Sequence, residues 1–309
     1  MPKLHWRDSP SRTKLLDHLR KVFSEKPELA PDFIFCTGDI AFGSLRDNPL
    51  SKQYEEAEKF FSDLAAACSS TNHSLALSDI YIVPGNHDVD RNDIDADANN
   101  GLLSLAANST ENVSLINQRF SDRTIEFRNA IKRIDEYSKF IAKTFPHIHD
   151  PEGRQFFASV VNIREMRIGI AGFNSAWSCS GEEDDRKIWL AGRWQFGRAA
   201  EAFKDCDIRI GLIHHPTDWL NVAERQEAVN HISTEFDFWL HGHTHEPWIT
   251  PTKSSVVIGA GAIGALDSEE FGINIVQADF AARSARCHFF TKQSRGTGWT
   301  IMPIPEHAP

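Results

Sequence analysis

Thiol chemistry is sparse in this chain. Its five cysteines, Cys36, Cys68, Cys179, Cys206 and Cys287, are odd in number, scattered, and never spaced as CxxC. That argues against a disulfide framework or a zinc–thiolate cluster and leaves reduced structural thiols. Long apolar runs are missing too. No stretch approaches the roughly 18 apolar residues of a membrane-spanning helix. The opening Met1-Pro2-Lys3-Leu4-His5-Trp6-Arg7-Asp8 lacks the apolar centre of a secretory signal. A soluble cytoplasmic protein with no membrane contact is the expectation. Positive charge is in deficit, with 33 Lys+Arg against 43 Asp+Glu and a net charge of −10. Such a chain is a poor non-specific binder of DNA or anionic lipid, although metal ions could still hold a nucleic-acid substrate. With 18 Gly and 14 Pro in 309 residues, collagen-like and low-complexity architectures are excluded. What remains is ordinary globular composition, 41% hydrophobic and 25% charged, with ample length for a buried core. The one unusual count is 14 histidines.

The apolar pattern alternates between helical and strand periods. Ser9-Pro10 opens a helix in which Leu15, Leu16, Leu19, Val22 and Phe23 recur at helical spacing until Pro27. Phe33-Ile34-Phe35-Cys36 reads as a short buried strand ending at Thr37-Gly38-Asp39. A helix over 51–68 presents Tyr54, Ala57, Phe61, Leu64 and Cys68 on one side. A second strand, Ile80-Tyr81-Ile82-Val83, runs into Pro84-Gly85-Asn86-His87-Asp88. This strand–helix–strand rhythm predicts an α/β layer fold. Residues 89–153 interrupt it: a polar loop over Asp90–Asn100, then helical segments, the clearest over 121–145. The expectation is one domain over 1–309, with a helical insertion at about 89–153 and a β-rich C-terminal segment at about 247–303. Between these, strands are expected at 156–163, 167–173, 208–213 and 236–240, with a helix around 194–204.

Four strand tips carry metal-binding residue types: Asp39; Asn86 with His87; His214 with His215; and His243 with His245. Open α/β sheets bind ligands beyond the carboxyl ends of their strands. A lone Gly-Asp or a single His-x-His means little, but all of these at strand ends, in this order, point to a metal site. Imidazole, carboxylate and amide oxygen without thiolate suit manganese, iron or zinc, with manganese the first choice. Asp39 can bridge two ions, Asn86 offers a neutral oxygen, and His214, His243 and His245 offer nitrogens. Two such ions can share a hydroxide and grip the oxygens of a phosphoester.

The order of these blocks resembles the calcineurin-like metallophosphoesterases. Gly38-Asp39, Gly85-Asn86-His87-Asp88, His214 and Gly242-His243-Thr244-His245 match its motifs, over nearly the whole chain. The resemblance implies a four-layer αββα sandwich of two mixed β-sheets with helices outside. It implies a binuclear centre in which His5, Asp39 and His245 hold one ion while Asp39, Asn86, His214 and His243 hold the other. His87 would contact the phosphoryl oxygen or protonate the leaving oxygen, and Asp88 would orient His87. The expected activity is metal-dependent hydrolysis of a phosphodiester of nucleotide or nucleic-acid type, by in-line attack of a metal-bridging hydroxide. Two alternatives stand beside it: a phosphomonoesterase or protein phosphatase, and a binding module that has lost one metal.

One block departs from the family. Lys3-Leu4-His5 stands where Asp-x-His is expected, with only Met1-Pro2 before it. The start is therefore expected to be shortened or non-native. The ion held by His5 and His245 is expected to bind weakly unless Asp8 substitutes for the missing carboxylate. Asn174-Ser175 reads as an Asx-type turn near the pocket. Trp177, Trp189, Trp194 and Trp219 flank loops where a nucleobase could stack, though packing is the commoner use of tryptophan. The closing segment from Gly259 to Trp299 is similar to the last strands of phosphoesterase domains in larger bacterial proteins. That likeness implies partner chains in signalling or defence.

Overall fold

The structure, a computed structural model, describes residues 9–70, 73–105, 110–180, 187–252, 254–263, 270–279, 282, 284–293 and 300–302. Helix α1 (Ser9–Glu25) buries Leu15, Leu16, Leu19 and Phe23. Strand β1 (Ile34–Cys36) follows, then α2 (Leu50–Cys68), which buries the side carrying Tyr54, Ala57, Phe61, Leu64 and Cys68. Strand β2 (Ile80–Ile82) pairs with β1 in parallel, as a strand–helix–strand unit requires.

The α/β class holds, and the larger sheet is mixed. Strands β3 (Phe157–Ile163) and β4 (Met166–Gly172) form an antiparallel hairpin. Helix α7 (Gly192–Ala202) then leads to β5 (Ile208–Leu212), and α8 (Val222–Glu235) leads to β6 (Phe238–His241). With β7 (Trp248–Pro251) and β8 (Val256–Gly259), they give a six-stranded sheet of order β3-β4-β5-β6-β8-β7. Its central strands run parallel, so the loops after β5 and β6 leave the same edge. Strands β9 (Glu270–Asp279), β10 (Ser284–Gln293) and β11 (Thr300–Met302) make a separate antiparallel sheet.

Helices lie outside the sheets. The Phe196 ring of α7 packs on Phe173 and Trp239 against the six-stranded sheet. On the other side, Tyr54 of α2 stacks on Phe140, 4.7 Å between centroids, while Tyr137 Oη donates to the Ile82 carbonyl at 3.3 Å. Tyr81 of β2 meets Phe157 of β3 between the sheets. One contiguous core runs from Leu15 to Phe290, each fully buried aliphatic or aromatic side chain contributing about 1.5–3 kcal/mol.

The region between β2 and β3 is helical: α3 (Ala96–Ser104), α4 (Thr110–Asp122), α5 (Ile125–Ile131) and α6 (Asp135–Thr144). Two expectations need correction here. The acidic run expected as a loop supplies a helix start: Asp95 accepts the Ala98 N–H at 2.7 Å, so α3 begins inside it. The helix expected over 121–145 is broken by the tight turn Lys132–Ile134, where a fully buried Arg133 donates to the carbonyls of Ala130 and Cys179. These helices are fastened to the body. Trp189 Nε1 donates to the Leu102 carbonyl at 3.2 Å, and Asn117 Oδ1 accepts the Trp194 N–H at 2.9 Å.

Candidate metal centre

Strands β1, β2, β5 and β6 deliver four tip loops to one place. His214, just past β5, donates from Nδ1 to the Thr37 carbonyl just past β1, at 2.7 Å. A carbonyl only accepts, so Nδ1 carries the hydrogen and Nε2 presents a lone pair. That Nε2 lies 2.9 Å from Asn86 Oδ1 and 3.4 Å from Asp39 Oδ2. His243 Nδ1 completes the group, 3.0 Å from Asn86 Oδ1 and 3.2 Å from His214 Nε2. Burial pushes the His214 imidazole below its ordinary value and, with the neighbouring His214, brings His243 down to about 4. Neutral imidazole nitrogens, an amide oxygen and a carboxylate oxygen thus converge with too few protons to bind one another. A divalent cation resolves that clustering of lone pairs, and the hard-to-borderline donor set fits manganese, iron or zinc.

The backbone is bent to achieve this. Asp39, His243 and His245 all have positive φ, at 54°, 70° and 60°. Non-glycine residues occupy that region at a cost of roughly 1–2 kcal/mol each. Three candidate ligands share it, at the sharp turns of the loops after β1 and β6. Gly38 is in the same region at φ 102°, and a Cβ there would lie 2.6 Å from His214 Nδ1.

His87 and Asp88 sit in the short turn Asn86–Asp88. The His87 N–H donates to Asp39 Oδ1 at 2.9 Å, which fixes the carboxylate between the tips. The His87 ring has its Nδ1 3.2 Å from the Phe42 carbonyl and stacks on the Phe42 ring. Asp88 is completely buried. Its carboxylate accepts from the N–H groups of Gly85 (2.8 Å), Ala41 (3.0 Å) and Ile40 (3.3 Å) and from Tyr54 Oη (3.1 Å). Burial, and next the Asp39 charge, push its pKa up to about 6, while those N–H groups act the other way. The bonding partner of the His87 ring is therefore the Phe42 carbonyl; the Asp88 carboxylate staples the loop after β1 to the loop after β2.

His245 is half-buried and close enough to act electrostatically on His214 and His243. Lys3, His5 and Asp8 lie outside the described residues. His215 stands beside the ligand histidines: a ring nitrogen of it lies within 4.8 Å of nitrogens of His214 and His243, while its Nδ1 is 2.8 Å from Ser175 Oγ and its Nε2 3.7 Å from Cys179 Sγ. Buried His241 bonds the Gly242 carbonyl through Nδ1. Asn174 makes the expected Asx turn, its Oδ1 accepting the Ala176 and Trp177 N–H groups at 3.0 Å. Trp177 and Trp189 are buried in the helical region and offer no face to a base. Trp219 alone of the four reaches the centre, its ring 4.1 Å from that of His243 between centroids. Sequence reasoning missed the Thr37 and Phe42 carbonyls, which carry no side-chain signal.

Among curated proteins, the chain is 24% identical over 243 residues to the uncharacterized metallophosphoesterase-like protein YydB of Bacillus subtilis, covering 76% of this chain. It spans 44% of the length of that relative. Among solved structures it resembles GAP50, the anchor in the inner membrane complex of Plasmodium, at TM-score 0.46 and 11% identity over 98% of this chain and 87% of that one. It also resembles the 5'-nucleotidase of Candida albicans, at TM-score 0.37 and 13% identity over 85% of this chain and 51% of that one. The family model described as calcineurin-like phosphoesterase matches residues 4–247. The chain belongs to the calcineurin-like phosphoesterases, metal-dependent hydrolases of phosphoric esters that are generally dinuclear.

Proposed function

We propose that this chain acts, as one domain, as a phosphodiesterase on nucleotide or nucleic-acid phosphodiesters. The convergence of Asp39, Asn86, His214 and His243 beside His87, whose N–H binds Asp39, carries this reading. Those four residues would hold one divalent ion; His5, Asp39 and His245 would hold the second. The ions, when bound, supply charge neutralisation for the phosphoryl oxygens and a nucleophilic hydroxide. His87 binds the ester through Nε2 and gives its proton to the leaving oxygen as the P–O bond breaks. Asn86 and the four histidines add no charge to the centre while neutral, and Asp39 adds one negative charge.

The preference for diesters rests on electrostatics. Among the described residues, the principal charges felt by His214 and His243 come from Asp39 and neighbouring histidines rather than from Arg or Lys. A dianionic monoester would gain from such cations; a monoanionic diester needs them less. The half-exposed Trp219 beside His243 offers an aromatic surface to a base.

The test compares bis-nitrophenyl phosphate with nitrophenyl phosphate in Mn²⁺, Fe²⁺ and Zn²⁺, then cyclic nucleotides, single-stranded DNA and RNA. Higher kcat/KM on diesters is expected. Preference for the monoester would make the chain a phosphomonoesterase. Absence of turnover with a single ion bound would make it a binding module.

A further inference from the structure

Gln53, on α2, is 5% exposed and uses its whole amide on the loop after β1. Its Oε1 accepts the Phe42 N–H at 2.7 Å, and its Nε2 donates to the carbonyls of Gly43 and Asn48, both at 2.8 Å. The first two bonds bracket a single peptide unit, the one joining Phe42 to Gly43. The oxygen of that unit is the Phe42 carbonyl, which lies 3.2 Å from His87 Nδ1. The Phe42 ring lies against the imidazole, 5.3 Å between centroids and 23° between planes. Because the carbonyl only accepts, His87 must carry a hydrogen on Nδ1, which leaves Nε2 as the nitrogen that exchanges protons with a bound ester.

We infer that Gln53 is a positioning residue for His87: it fixes the Phe42–Gly43 peptide, and through it the tautomer and ring plane of the imidazole. This rests on the reading of His87 as the group that protonates the leaving oxygen. In that step the Nε2 proton passes to the departing oxygen, the P–O bond electrons stay with that oxygen, and His87 is left neutral with its hydrogen on Nδ1. A glutamine that merely stabilised the loop would leave the dependence of rate on leaving group untouched.

Nitrogen-15 NMR of histidine-labelled full chain, without added metal, reads the tautomer directly, with His87→Ala assigning the signal. The wild-type chain is expected to hold neutral His87 with its hydrogen on Nδ1, and Gln53→Met to populate the other tautomer. A wild-type His87 protonated on Nε2 overturns the inference whether or not Gln53→Met folds. In the metal-loaded enzyme, Gln53→Met should lower kcat roughly 10–100-fold on a diester with an alkyl leaving group, as loss of an outer-shell partner does. KM, metal content and kcat for a nitrophenyl leaving group should stay near wild type. Gln53→Met should cost nothing further in a His87→Ala background. Equal losses for both leaving groups, or additive losses in the double variant, sink the role of Gln53 alone. If His87→Ala itself shows no leaving-group dependence, the acid assignment falls and this inference falls with it.

Discussion

A Cβ atom on residue 85 would lie 2.2 Å from Asp39 Oδ1 and 2.4 Å from the Asp39 backbone nitrogen. Gly85 and Asp39 are thus in contact with no room for even a methyl group. The closeness brings the loop after β2 onto the loop after β1 and sets Asn86 beside Asp39. One crowding atom is main chain and the other is a carboxylate oxygen held by the His87 N–H, so neither swings clear easily. Gly85→Ala should cost about 1–3 kcal/mol of stability, as overpacking does, and weaken metal binding at the same time. Denaturant unfolding and metal titration check it; unchanged affinity would mean that the loops tolerate separation.

In the proposed centre Asp39 carries the carboxylate that would serve both ions. Asp39→Asn keeps the shape and removes the charge. Metal affinity and turnover should each fall by at least the roughly 10–100-fold typical of outer-shell losses, with the circular dichroism spectrum unchanged. Wild-type turnover in this variant, with metal bound, would remove Asp39 from the centre.

His87 contributes its N–H to Asp39 Oδ1 from the backbone, which substitution by alanine leaves in place. His87→Ala should therefore retain metal while losing rate by roughly 10²–10⁴-fold on poor leaving groups, the range for a general acid. The loss should shrink with nitrophenolate, which needs little protonation. Metal analysis beside a leaving-group series decides it, and loss of metal would make His87 a ligand.

By the resemblance read from the sequence, Lys3 would stand where the family's first carboxylate is expected. A cation ~4 Å from a positive ion, at an effective dielectric near 20, costs about 4 kcal/mol for each pair of unit charges. The site of His5 and His245 should fill last, and Lys3→Asp should raise its occupancy and the diesterase rate together at matched Mn²⁺. If the present chain already binds two ions tightly and turns over as fast, Asp8 has taken the carboxylate's place.

Glu224 is buried and accepts the Leu190 N–H at 2.7 Å and the Gly192 N–H at 2.9 Å, where α7 begins. Glu224→Ala leaves both donors without a partner inside the protein. A loss of about 1.5–3 kcal/mol is expected, the range for hydrogen bonds to a charged group. A lower denaturant midpoint with unchanged slope would confirm it; a shift under 0.5 kcal/mol, the surface-substitution range, would mean that water reaches the helix end.

Much of the fold was legible from local pattern. β1, β2, α2 and the β3–β4 hairpin fall within a residue or two of their expected limits, because a buried strand or a one-sided helix writes its period into the chain. α8 was not legible. Its Val222 and Val229 face outward, 52% and 37% exposed, while its buried positions include Glu224, so its apolar residues do not mark its inner face. The acidic run at 90–97 misled for a related reason: capping carboxylates and loop carboxylates look alike until the helix that follows is seen.

The family and the candidate ligands could be read from the chain before any fold was known. Their motifs are contiguous, each a glycine or strand end followed by the ligand, and residue type alone states the donor chemistry. Tertiary structure alone decided what those ligands touch. His214 is oriented by a carbonyl 177 residues away. Asp88 binds the loop 47 and 48 residues before it, while the His87 ring turns to Phe42. Trp219, of the four tryptophans considered, meets the centre. Such pairings join segments that are distant in the chain and often end on backbone atoms identical at every residue. No residue type can announce them, and they exist only once the strands have brought their tips together.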